Sequence, residues 1–79
     1  MEHRQDRFAY YVQLFGGVTA FSRRLGIDER ALRRFINGER PISDGLLADT
    51  AKELQKLITQ ANEAVEQIST TLAGGDGEA

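Results

Sequence analysis

The chain has 79 residues, 41% of them apolar, no cysteine, and a formal net charge of −2. That suits one small domain with a thin core, and without cysteine there are neither disulfides nor thiolate metal sites. The N-terminal stretch MEHRQDRFAYYVQLF lacks the basic-then-apolar pattern of a secretion signal, and no apolar run reaches membrane-spanning length, so a cytoplasmic protein is expected.

Phe8, Tyr11, Val12 and Phe15 recur at i, i+3, i+4 and i+7, which predicts an amphipathic helix over about 4–15. Gly16-Gly17 ends it. Thr19 is placed to cap a second, short helix carrying Phe21 and Leu25, which Gly26 stops. Asp28 then stands at an N-cap position before ERALRRFIN, where Ala31, Leu32, Phe35 and Ile36 form the inward face. Asn37-Gly38 closes this third helix and Pro41 prevents an immediate restart. Ser43 can cap a fourth helix. From Asp44 to about Leu72 only Gly45, in the first turn, interrupts good helix formers.

Along that fourth helix Leu47, Leu54, Ala61 and Ile68 repeat every seven residues. Ala51, Ile58, Val65 and Leu72 repeat beside them, with Leu57 and Ala64 between. A helix of about 28 residues is roughly 42 Å long, longer than a body made of three short helices. Its second half is expected to carry an exposed apolar stripe that pairs with a second copy. The expected dimer interface is Leu54, Leu57, Ile58, Ala61, Val65, Ile68 and Leu72. A break near Asn62, with the last piece folding back, is the alternative. Residues 73–79 are expected to be a disordered tail.

The charges divide between the two halves. Residues 1–40 carry eight arginines and five acids; residues 41–79 carry two lysines and seven acids. A basic surface and a separate acidic segment follow. Using only arginine in the basic half favours planar, bidentate contact with phosphate or guanine. Arg30, Arg33 and Arg34 crowd one short helix, where like charges three and four apart cost a few tenths of a kcal/mol per pair. His3 stands alone near the terminus and reads as a surface residue. No Ser/His/Asp set and no glycine-rich phosphate loop is present, so neither an enzyme nor a metal, cofactor or small-molecule ligand is expected.

VTAFSRRLGIDERALRRFIN, residues 18–37, has two short helices joined by a three-residue turn around Gly26. This is helix-turn-helix geometry. Ser22 is small where the helices must approach, Gly26 accepts a positive φ in the turn, and Leu32 seals the angle. LGIDERALRRFINGERPIS resembles the pattern of small Cro/lambda-repressor-like (XRE-type) helix-turn-helix domains, and the likeness spans residues 11–58. It implies an all-α fold in which residues 1–43 form a DNA-binding core and 44–72 a C-terminal helix that packs on the core and dimerises. It also implies that the third helix reads bases in the major groove while the second lies across the backbone. By position the base-reading residues are Glu29, Arg30, Arg33 and Arg34, and the phosphate contacts are Thr19, Arg23, Arg24, Asn37 and Arg40. The sequence departs from the pattern at Val18-Thr19, where many members have glutamine, at Ser22 in place of alanine, and at Asp28-Glu29, where carboxylates repel phosphate. Asp28 is read as an N-cap, and Glu29 as the i, i+4 partner of Arg33.

The expected function is a cytoplasmic, nucleoid-associated, homodimeric repressor of a bacterium, phage or mobile element, with double-stranded DNA and a second copy as its partners. Two alternatives remain open: an antitoxin whose C-terminal helix grips a toxin, and a protein–protein adaptor that has lost DNA binding.

Overall fold

Local signals end each helix, and they do so in the computed structural model of the chain, which describes residues 4–74. Four helices result: α1 (Arg4–Leu14), α2 (Val18–Leu25), α3 (Glu29–Ile36) and α4 (Asp44–Gly74), with no strand among the described residues. His3 and tail residues 75–79 lie outside the described part, whereas Ala73 and Gly74 form the last turn of α4 rather than part of a tail.

The α2–α3 turn follows from one backbone requirement. Gly26 sits at φ 72°, ψ 31°, and its N–H and that of Ile27 both return to the Ser22 carbonyl. Only glycine takes that left-handed conformation without a Cβ penalty. Asp28 then caps α3, its carboxylate accepting from the N–H groups of Arg30 (3.0 Å) and Ala31 (3.3 Å). Ser43 caps α4 in the same way through the Leu46 N–H at 3.0 Å. The expected cap at Thr19 is not formed. α2 begins earlier, with Gly17 as its cap residue and Phe21 N–H bonded to the Gly17 carbonyl. The two glycines let the chain turn into a helix at once, and Thr19 is left exposed in the first turn.

Phe8 and Val12 of α1, Phe21 of α2, Leu32 of α3, Ile42 and Leu46 form the buried core. Phe21 meets Phe8 and Phe15 edge to face, at centroid distances of 5.5 and 5.1 Å. Tyr11, Leu25, Ile27, Phe35 and Ile36 pack around these as half-buried neighbours. Ser22 is buried between the helices, and its hydroxyl donates to the Thr19 carbonyl at 3.0 Å. The far end of the body is tied by polar bonds. Arg4 donates to the Ile42 carbonyl at 2.8 Å and pairs with Asp44 at 3.1 Å, and Gln5 donates to the Ile36 carbonyl at 3.1 Å.

α4 is unbroken over 31 residues and gives the molecule its 53 Å length. It turns Leu46 and Thr50 into the core, and the Thr50 hydroxyl donates to the Leu46 carbonyl at 2.8 Å. The seven-residue stripe lies beside this buried line. Leu47 and Leu54 are half-buried, Ala51 is exposed, and Ile58, Val65, Ile68 and Leu72 are exposed beyond the body. No described helix is long and apolar enough to cross a membrane.

Removing the Phe21 ring takes away both aromatic contacts and leaves a cavity. Phe21→Ala is expected to cost about 3–5 kcal/mol, a large share of the roughly 5–15 kcal/mol that holds a domain folded. Urea denaturation followed by far-ultraviolet circular dichroism measures it.

Candidate nucleic-acid interface

α3 has one residue, Leu32, that is fully buried, with Ala31, Phe35 and Ile36 half-buried beside it. This inward face leaves Arg30, Arg33 and Arg34 on the solvent side, all exposed. Arg30 and Arg34 have no side-chain partner among the described residues. Arg33 pairs with Glu29 at 3.5 Å, as the i, i+4 spacing predicts, and its side chain stays 61% exposed. Asp28 directs its charge at the N-terminal N–H groups of α3, which removes it as a free acid on this surface.

The end of α3 adds a further cation. Asn37 caps the helix with backbone αR geometry, its N–H bonded to the Arg33 carbonyl, and its side chain is exposed. Gly38 follows at φ 83°, where an added Cβ would lie 2.7 Å from the Gln5 amide. Two residues on, Arg40 stands over α3. Its guanidinium carbon stands 5.1 Å from the Phe35 ring centroid while the residue remains exposed. A cation held over an aromatic face keeps its charge available at a fixed place.

On α2 the two neighbouring arginines part. Arg23 is exposed with no side-chain partner among the described residues. Arg24 turns the other way, towards α4. Its Nε is 3.2 Å from Glu53, its terminal nitrogen 3.0 Å from Gln60, and its guanidinium 6.0 Å from the Phe15 ring. It is half-buried and serves the α2–α4 contact. Thr19, Arg23, Arg30, Arg33, Arg34, Asn37 and Arg40 therefore make up the outward set, while Glu29 is paired with Arg33 and Arg24 is held on α4.

Glu53 and Gln60, the groups that hold Arg24, lie 29 and 36 residues away and have no local signal in the chain. Leu14 was also missed. It is 45% exposed and shares an apolar hollow with Leu54, Leu57, Ile58 and Ala61. The available signal was the Tyr10–Leu14 pair, four residues apart and off the Phe8–Val12–Phe15 stripe.

No family model, curated protein or solved structure matches the chain.

The Glu53 carboxyl is lowered below its ordinary value. The hydrogen bond from Lys56, at 3.2 Å, is the main cause; desolvation opposes it, and the charge of Lys56 and the bond and charge of Arg24 add to it. A depressed carboxyl stabilises the folded chain above its unfolded-state pKa, and that contribution is lost as the pH falls through the folded value. The α2–α4 tether is therefore expected to be intact at neutral pH and to weaken as the pH falls through the lowered Glu53 value. Glu53→Gln should lower the thermal midpoint at neutral pH, and the gap between variant and parent should shrink at acid pH.

Proposed function

We propose that this chain is a sequence-specific, double-stranded-DNA-binding transcriptional regulator, a homodimeric repressor that acts on an inverted repeat with α3 in the major groove. The observation that carries this is the shared outward exposure of Arg30, Arg33 and Arg34 on a helix fixed from behind by Leu32. In this reading Arg30 and Arg33 face guanine edges. Arg34, Arg40, Arg23 and Thr19 face phosphates, with Asn37 beside them. DNA supplies the anions that the crowded cations lack, and counterion release drives binding.

Magnitudes favour the exchange at Arg33. An exposed i, i+4 ion pair is worth about 0.3–0.5 kcal/mol, whereas a bidentate arginine–guanine contact gives about 1–3 kcal/mol of discrimination. Glu29 is then released close to the duplex, where it repels phosphate and lowers nonspecific affinity more than specific affinity. Arg24 is left out of the contact set, because reaching DNA would break its contacts to Glu53, Gln60 and Phe15 together. The protein would act at the nucleoid, occluding the promoter by its presence rather than by any reaction.

Selection of bound duplexes from random DNA, followed by salt titrations, tests the proposal. An inverted repeat should emerge. Arg33→Ala should relax base preference at one position of each half-site by about 1–3 kcal/mol. Arg23→Ala should lower affinity for all sequences and flatten the salt slope by about one unit. Recovery of no preferred sequence would remove the reading.

A further inference from the structure

We propose that two copies of the chain pair through α4 in antiparallel orientation, the Leu72 end of each helix seating in the hollow that Leu14, Leu54, Leu57, Ile58 and Ala61 form on the other. This rests on the self-pairing part of the preceding reading and is independent of DNA binding.

The surface is apolar and open. Ile58, Val65, Ile68 and Leu72 are 51, 59, 59 and 78% exposed. The charges on α4 show what covers it. From Leu47 onwards every charged residue of the helix (Asp49, Lys52, Glu53, Lys56, Glu63 and Glu66) falls at a heptad position off the apolar seam and off both its flanks. The flanks are Gln55, Asn62 and Ser69 on one side and Leu57, Ala64 and Thr71 on the other. A net acidic helix that met a basic partner would present its acids along the rim of the contact. This rim is neutral, so a second identical helix can approach with no like charges opposed.

The unlike flanks decide the orientation. Paired helices lay each flank against the opposite flank of the neighbour when parallel, and against the same flank when antiparallel. A parallel pair would press Leu57 and Ala64 against Asn62 and Ser69. An antiparallel pair puts the apolar flanks together and leaves the polar ones to water. Centring the pair at Glu63 sets Ile58 against Ile68 of the second copy, Ala61 against Val65, and Leu54 against Leu72. The most exposed residue of the seam then reaches the Leu14 hollow, which the short body cannot fill from its own chain. At 1.5 Å per residue this register holds the two Thr50 anchor points roughly 39 Å apart, of the order of one turn of B-DNA.

The chain has no cysteine, so single substitutions report the orientation directly. Full-length Ile58→Cys and Ile68→Cys are each oxidised alone, then mixed in equal amounts, unfolded, refolded and oxidised together. The proposal expects little cross-linked dimer from either variant alone and abundant dimer from the mixture, since a disulfide needs Cβ atoms about 3.5–4.5 Å apart. Self-cross-linking of each variant alone indicates parallel pairing and overturns it. A monomer by light scattering also overturns it and leaves the seam to a different protein. Leu14→Glu lies outside α4 and in an exposed position, and it should raise the dimer dissociation constant about tenfold or more with helix content unchanged; an unchanged constant removes the hollow from the interface. Cross-linking retained without operator binding counts against the DNA reading alone. Parallel cross-linking with operator binding intact counts against this inference alone.

Discussion

Edge-to-face packing of Phe21 on Phe8 and Phe15 is the contact on which the arrangement turns. Each aromatic pair of this kind contributes about 0.5–1.5 kcal/mol beyond simple burial, and a body this small has few others. With Phe21 in place, α2 is fixed across α1, and the left-handed Gly26 leaves α3 one way to continue. Leu32 then enters the remaining space, and the cationic side of α3 has no interior to enter. A guanidinium buried without a partner would cost several kcal/mol. The outward arginines are thus a consequence of how little core there is.

Where one helix gives way to the next was legible because the signals are local. Gly26, Asp28, Gly38 and Ser43 each act within four residues of themselves, and each does what its chemistry predicts. Thr19 misled for the same kind of reason. It is a good capping residue, but the preceding glycines already allow the helix to begin, and the cap site passes to Gly17. What could not be read is long-range. Nothing near Arg24 announces Glu53 or Gln60, and nothing near Gln5 announces the Ile36 carbonyl 31 residues away. The outward placement of the α3 arginines was legible from the helical period, while the separation of Arg23 from Arg24 needed the fold.

α4 shows why periodicity identifies a face without saying what the face meets. Its seven-residue stripe suggested one broad apolar side serving both the core and a partner. The helix instead divides the work. Leu46 and Thr50 enter the core, Leu47 and Leu54 are half-buried beside it, and the stripe is exposed from Ile58 on. Thr50 was invisible to an apolar count, yet it is 2% exposed, with its hydroxyl bonded to the carbonyl one turn back. That bond satisfies the polar atom locally, so burial carries little penalty. The burial of Leu46 and Thr50 fixes the rotation of α4 about its axis, and the Arg24–Glu53 contact agrees with it.

The unbroken run of helix from Leu46 to Ala73 also limits how such a protein can diverge. One inserted residue would swing everything after it by about 100°, carrying Ile68 and Leu72 away from the line of Ile58. Seven would restore the line and lengthen the rod by roughly 10 Å. Descendants can therefore change the reach of this arm at little cost only in steps near a whole number of turns, such as seven or eleven residues.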